Sequence, residues 1–284
     1  MTEINDYSDP RLDVYARLSE PQLKTIYEPK EGLFIAESPM VIERALDAGY
    51  EPESVLTCNE AAAGHGKVVL ERITGQDRSI PVYIGTDEVL SNIRGYQLTR
   101  GVLCAMRRKK MDPAKDTIRN ARRIVLLDDV ENPSNVGAIF RSAAAMFMDA
   151  ILLTPDCSDP LYRRAARVSV GTVFNIPWTY IGIDRKNNIE SPEDKTGAYI
   201  DLIHQMGFKT AAMALSDDSV PVSDERLKKE DKLCIIMGNE GYGLKQAVID
   251  RCDHTVKIPM AAGIDSLNVA AASAVAFWEL SKGR

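Results

Sequence analysis

Three short stretches gather the glycines and polar side chains that chemistry would need. The first, ENPSNVGAIFR at residues 131–141, opens on Asn-Pro, a turn-forming pair. Asn135 can cap the helix that should follow, and Gly137 permits close approach at its first turn. Arg141 is expected about one and a half turns into that helix, where the helix dipole favours acids over bases. It reads either as a surface arginine or as a ligand for phosphate. The second stretch, LCIIMGNEGYGL at residues 233–244, is an apolar strand that stops in a turn containing Gly238, Glu240, Gly241 and Gly243. Such a turn lets a ligand approach the backbone; the plainer alternative is a tight structural turn with an exposed glutamate. Its G-x-x-G-x-G spacing is not the G-x-G-x-x-G of a dinucleotide fold, and no acidic residue follows at the end of a second strand about 20 positions on. The third, VKIPMAAGIDSLNVAAASAVAFWEL at residues 256–280, is a strand ending at Pro259, a glycine-containing loop, and a helix whose start is bracketed by Ser266 and Asn268. One of the two caps the helix, which leaves a polar side chain beyond what a cap requires.

The composition limits what these stretches can belong to. The chain has 284 residues, 45% hydrophobic and 27% charged, an ordinary globular composition with room for two domains. No signal-peptide pattern opens the sequence, and no apolar run approaches the roughly 20 residues of a membrane span. A cytoplasmic protein without membrane contact is expected. Cys58, Cys104, Cys157, Cys234 and Cys252 are odd in number and form no C-x-x-C pair, so neither a disulfide framework nor a zinc site is expected. His65, His204 and His254 fall in no ligand spacing, and no metal is expected.

A net charge of −6 weighs against a nucleic-acid partner, because phosphate neutralisation needs cations. Local patches offset it. Arg107, Arg108, Lys109 and Lys110 run into Lys115, Arg119, Arg122 and Arg123 against only Asp112 and Asp116, and Arg163, Arg164 and Arg167 cluster further on. These are either solvated faces or an RNA-binding surface.

The elements around the three stretches alternate. In the first half, GLFIAE reads as a strand, Ser38 and Pro39 as a capping hydroxyl and first helical position, and Gly49 as that helix's stop. SVLTC, PVYIGT and LTRGVLCAMRR read as further strands. The second half begins at the strand RIVLLDDV and continues with the helix NVGAIFRSAAAMF, the strand AILLTP, the helix LYRRAARVSV and the strand FNIPWTYI. A helix, GAYIDLIHQMG, and a strand, KTAAMAL, then lead to the glycine turn. The spacing predicts an α/β fold: a smaller N-terminal domain over residues 1–110, a basic linker over 111–121, and a parallel-sheet domain over 122–284. Ligands in such sheets sit beyond the carboxyl ends of the strands, where the glycine turn lies. The terminal helix is apolar nearly all round, which predicts burial on more than one side and a homodimer interface.

Taken together, NPSNVGAIFRSA, IIMGNEGYGL and IPMAAGIDSLNVAAA resemble the motifs of the SpoU-type (TrmH-like) RNA ribose 2'-O-methyltransferases of the SPOUT superfamily. The likeness is strong from about residue 122 onward. The segment YEPKEGLFIAESPMVIERALDAG also looks like the family's small substrate-binding domain, related to a ribosomal-protein fold. The resemblance implies an α/β-knot domain with a deep trefoil knot, S-adenosylmethionine held in that knot, and a dimer. It implies catalytic roles for Asn135, Arg141, Glu240, Ser266 and Asn268. It also implies cofactor contacts from Leu215, Gly238, Glu240, Gly241, Ile258, Met260, Leu267 and Asn268. RNA affinity would come from Arg107, Arg108, Lys109, Lys110, Arg163 and Arg164, with ribosomal RNA of the large subunit the expected substrate and transfer RNA the alternative. One departure is visible: Ala270 stands where relatives often carry a small polar residue. Two rival readings are a nucleotide-cofactor oxidoreductase and an RNA-binding protein without catalysis.

Overall fold

The alternating elements resolve, in the computed structural model, into two units: Met1–Lys110 with Leu161–Asn175, and Met111–Pro160 with Ile176–Arg284. The structure describes all residues except 28–29, 94–100, 185–188, 191–196, 217, 264–265 and 282–284. The expected strand LTRGVLCAMRR therefore lies partly outside the described residues.

The first unit holds strands β1 (Thr2–Ile4), β2 (Leu33–Glu37), β3 (Pro52–Thr57), β4 (Val82–Gly85) and β5 (Val102–Arg107), in spatial order β1-β4-β3-β5-β2. β5 runs antiparallel to both neighbours and is buried up to Met106. The helix Pro39–Asp47 follows β2 with proline in its first turn, and Gly49, at φ 75°, closes it as expected. Ser38 does not act as the expected cap. Its backbone takes φ 83°, outside the extended region of a capping residue, and no side-chain cap bond forms.

The helix Arg163–Val168 is expected, from its place in the sequence, in the C-terminal domain. It packs instead on β2. Glu37 is only 2% exposed, and Arg163 and Arg167 reach it at 2.9 and 3.2 Å. A buried carboxylate needs such partners, and they come from this helix.

The second unit contains β6 (Arg123–Leu127), β7 (Ala150–Leu153), β8 (Trp178–Tyr180), a small antiparallel pair β9 (Ile183–Asp184) and β10 (Ile189–Glu190), then β11 (Lys209–Met213), β12 (Val220–Pro221), β13 (Leu233–Met237) and β14 (His254–Lys257). The seven-stranded sheet has the order β12-β14-β11-β13-β6-β7-β8, every ladder parallel. Strands β6, β7 and β13 are buried throughout, as a parallel sheet covered on both faces requires. The predicted α/β class and parallel sheet are what the chain forms.

Residues 111–121, expected as a linker, belong to this unit. Ile118 and Ala121 enter its core beside Tyr199 and Phe208. The Asp112 carbonyl accepts a hydrogen bond from Thr179 Oγ1 on β8 at 2.7 Å. Arg123, counted in the basic run, is buried, and its guanidinium donates to the carbonyls of Lys228, Glu230, Asp231 and Leu280.

The helix Pro133–Ala145 packs against the helix Val269–Leu280; the first buries Val136, Ile139, Phe140 and Ala143, the second Val269, Ser273, Ala276 and Phe277. The terminal helix thus finds its close partner within the chain. Its outer face carries Ala271, Val275 and Trp278, the last 61% exposed.

Candidate active site

β13 ends at Met237, and the glycine turn folds back on itself at once. The Asn239 N–H donates to the Gly243 carbonyl at 3.2 Å, and Gly243 returns the bond at 3.0 Å. A Cβ on Gly238 would lie 2.6 Å from the Gly243 carbonyl carbon and the Leu244 nitrogen, closer than real contacts allow. Gly243 takes φ +71°, the left-handed region that glycine enters without steric cost. Gly241 differs: a Cβ there meets only Asn239 Oδ1 at 3.4 Å. The turn itself therefore requires Gly238 and Gly243 but not Gly241.

Glu240 projects from this turn to the start of the helix Pro133–Ala145. It accepts hydrogen bonds from Asn135 Nδ2 at 2.9 Å and from the N–H groups of Asn132 at 3.1 Å and Glu131 at 3.3 Å. Partial burial pushes its carboxyl up, but these bonds, led by the one from Asn135, hold it below the usual range. Glu240 is thus a fixed anion at the amino end of a helix, where the dipole favours it.

The cap of that helix is Asn132, not Asn135: Asn132 Oδ1 accepts from the Ser134 N–H at 2.8 Å. Asn135 sits one turn further in, and its Oδ1 accepts from Asn268 Nδ2 at 3.2 Å. Asn268 in turn caps the terminal helix through the Ala270 N–H at 3.0 Å. A chain of side chains, Glu240 to Asn135 to Asn268, ties the three motifs together.

Beside this chain, at the carboxyl ends of β11, β13 and β14, lies a pocket of about 260 Å³. The residues expected to touch a cofactor, Leu215, Gly238, Glu240, Gly241, Ile258, Met260, Leu267 and Asn268, all line it, and Ser266 joins them. Met213, Met237 and Lys257 line it as well and were not foreseen. Each stands at the end of a strand, so the rule that placed the ligand beyond the carboxyl ends could have found them.

The SpoU rRNA methylase family matches residues 122–278, more than half of the chain and all three motifs. A tRNA/rRNA methyltransferase of Mycobacterium bovis, itself uncharacterised, is 30% identical over 99% of this chain and 91% of its own length. The chain belongs to the SpoU rRNA methylase family. The 23S rRNA (guanosine(2553)-2'-O)-methyltransferase RlmP of Bacillus subtilis is 23% identical over 99% of both chains. In fold, the chain is similar to an AdoMet-bound rRNA methyltransferase from Sinorhizobium meliloti, with a TM-score of 0.78, 23% identity, and 98% and 97% of the two chains covered.

Within this SpoU methyltransferase, Arg141 stands apart from the pocket. The two polar side chains at the start of its helix, Asn135 and Glu240, bind one another and not Arg141. Arg141 lies six residues beyond Asn135, about 9 Å along the axis at 1.5 Å per residue, and off its face. It is exposed, and its guanidinium has no hydrogen bond or ion pair among the described residues. It is also too far along the 13-residue helix for the dipole misfit read from the sequence to apply.

Several of the basic residues are tied into the fold. Arg107 pairs with Glu53 at 2.6 Å, and Arg108 Nε donates to the Leu33 carbonyl at 3.2 Å. Lys109 donates to the Ala48 carbonyl and lies 4.8 Å from the centre of the Tyr50 ring. Arg163 is committed to Glu37, whereas Lys110 and Arg164 are exposed.

One pair has no signature in the sequence. Asp129, buried and at φ 60°, accepts a hydrogen bond from the Tyr242 hydroxyl, and its carbonyl accepts from Asn239 Nδ2 at 2.9 Å. Burial, and then the charge of Asp156, raise the Asp129 carboxyl above its ordinary value. Two adjacent aspartates at a strand end carry no spacing signal that marks one of them as a tyrosine's anchor.

Proposed function

We propose that this chain transfers a methyl group from S-adenosylmethionine to a ribose 2'-hydroxyl of RNA. The observation that carries this is the pocket at the strand ends, closed on one side by the Glu240–Asn135–Asn268 chain. Its apolar lining, Leu215, Ile258 and Leu267 among others, suits a flat purine. Among the described residues its charged lining is one residue of each sign, Glu240 and Lys257. An ionised Glu240 favours a sulfonium cation, while Lys257 and the amino end of the helix Val269–Leu280 favour a carboxylate. A zwitterionic donor meets both, and a dinucleotide pyrophosphate would face a fixed anion. This supports the methyl donor over the nicotinamide reading.

When bound, S-adenosylmethionine supplies an electrophilic methyl group on a cationic sulfur. The residues around it have to orient the donor and exclude water, because much of the barrier reduction in such a displacement comes from alignment. Gly238 and Gly243 fix the turn, and Glu240 and Asn268 fix the mouth of the pocket. Arg141, with its guanidinium uncommitted, would grip an RNA phosphate in the planar forked mode that suits it. Guanidinium stays protonated, so its role is binding and orientation, not proton abstraction.

RNA of the large ribosomal subunit is the substrate favoured, on the likeness to RlmP over the full length of both chains; transfer RNA is the alternative. A homodimer fits the exposed Val275 and Trp278 on the outer face of the terminal helix. A cytoplasmic setting fits five free cysteines. No helix among the described residues is long and apolar enough to cross a membrane. The test is to incubate purified protein and labelled donor with ribosomal and transfer RNA from cells lacking the gene, then map 2'-O-methyl positions. Label in a single ribosomal position supports the proposal; no label in either RNA overturns it.

A further inference from the structure

The Tyr242 ring is 57% exposed, although tyrosine carries a large apolar face. It sits in the same turn as Glu240, between Gly241 and Gly243, and it is not loose. Its hydroxyl is anchored on the buried Asp129 carboxylate, and its own N–H points at Asn239 Oδ1 at 3.4 Å. Asn239 Oδ1 also accepts the Gly241 N–H at 2.8 Å, and Asn239 Nδ2 ties back to the Asp129 carbonyl at 2.9 Å. Asp129 itself holds a left-handed backbone conformation that non-glycine residues rarely adopt, so this corner is specified by its contacts.

Three residues on, Lys245 is exposed, and its ammonium has no hydrogen bond or ion pair among the described residues. It lies near enough to Asp128 and Asp129 to act on both electrostatically. An aromatic face held in solvent beside an unpaired cation matches what an unstacked nucleotide requires, a surface for its base and a charge for its phosphate.

We infer that Tyr242 is a preset stacking platform for an unpaired RNA base next to the reacting ribose, with Lys245 on the adjoining phosphate. This rests on the proposed RNA methylation. It adds a positioning residue that acts through the RNA and not through the donor. Asp129 serves by fixing the ring before RNA arrives, which lowers the ordering cost of binding.

The test compares Tyr242→Leu, Tyr242→Phe and Tyr242→Trp with the unaltered protein. Each is assayed for KM and kcat on the methyl-accepting RNA, for donor affinity by calorimetry, and for melting temperature. Tyr242→Leu should raise KM for RNA by roughly ten- to a hundredfold, the usual effect of losing one stacked base, with donor affinity unchanged and the melting temperature lowered no more than in Tyr242→Phe, which loses the same bond to Asp129. Tyr242→Trp should restore KM, and Tyr242→Phe should stay within a few fold of the unaltered protein. Ultraviolet crosslinking of the unaltered protein should attach a nucleotide to the peptide that contains Tyr242. The inference is overturned if Tyr242→Leu leaves KM unchanged. It is equally overturned if Tyr242→Phe behaves as Tyr242→Leu does, since the hydroxyl's bond to Asp129 would then be the whole contribution. An unaltered protein that transfers no methyl group defeats the proposed function instead, and the crosslink still reports on the platform.

Discussion

The Asn135 side-chain amide donates to the Glu240 carboxylate at 2.9 Å across a sequence separation of 105 residues. With the two backbone N–H groups that also reach Glu240, this bond joins the glycine turn to the helix Pro133–Ala145. Hydrogen bonds to a charged group contribute about 1.5–3 kcal/mol each where both partners are held. Replacing Glu240 by Gln removes the charge, keeps the volume, and turns an acceptor toward backbone donors into a mixed group. We expect Glu240→Gln to weaken donor binding about tenfold. In a double-mutant cycle with Asn135→Ala, the two losses should be less than additive by about 1 kcal/mol or more, because the residues share one bond. Additive losses in calorimetry would show that the bond does not shape the pocket.

Gly238 and Gly241 look alike in the sequence and differ in space. Gly238→Ala places a Cβ 2.6 Å from backbone atoms of Gly243 and Leu244, so the turn must open. Gly241→Ala meets nothing closer than Asn239 Oδ1 at 3.4 Å. The first substitution should lower the melting temperature and abolish donor binding together. The second should leave melting unchanged, and any loss of donor affinity it causes reports direct contact at that position. Thermal melting and calorimetry on the two variants distinguish these outcomes.

What the sequence revealed, and what it hid, follows from the range of each interaction. The glycine turn, the cap of the terminal helix and the parallel sheet were legible because local spacing and apolar runs encode them. The position of Arg163 was not. Its role is set by Glu37, distant along the chain, and a basic run gives no sign of a buried carboxylate waiting for it. Residues 111–121 read as a linker because charge dominates them, yet Ile118 and Ala121 decide where they pack. The cap at Asn132 was misplaced to Asn135 because both asparagines satisfy the same local rule, and Glu240 decides between them from across the fold.

Arg141 should separate binding from chemistry. It lies outside the pocket and carries no partner among the described residues, so Arg141→Ala should preserve donor affinity and melting temperature while reducing methyl transfer by a hundredfold or more, the order expected when a positioning contact is lost. Arg141→Lys should recover little, since an ammonium cannot make the paired contacts of a guanidinium. Single-turnover assays at saturating donor measure this directly. Retention of most of the turnover by Arg141→Ala would remove it from the site.

Asp253 predicts a pH effect on stability that leaves the pocket alone. Its carboxylate accepts from Lys209 Nζ at 2.6 Å and from the Thr210 N–H at 2.9 Å, tying the entry of β14 to the start of β11, at the end of those strands away from the pocket. Burial works to raise its carboxyl, but these bonds and the charge of His204 prevail, and it falls to about 2. Because the folded value lies below the unfolded one, near 3.9 for an aspartate, its stabilisation is fully present above that unfolded value. It is lost as pH falls through about 2. Allowing for solvent screening of this half-exposed group, the contribution at neutral pH is about 1 to 2 kcal/mol. Asp253→Asn should therefore lower the melting temperature at pH 7 by a few degrees. It should also flatten the fall in stability between about pH 4 and pH 2, with donor affinity at pH 7 unchanged. Denaturant titrations across that range test it: equal acid sensitivity in variant and unaltered protein would mean that other carboxylates carry the acid transition.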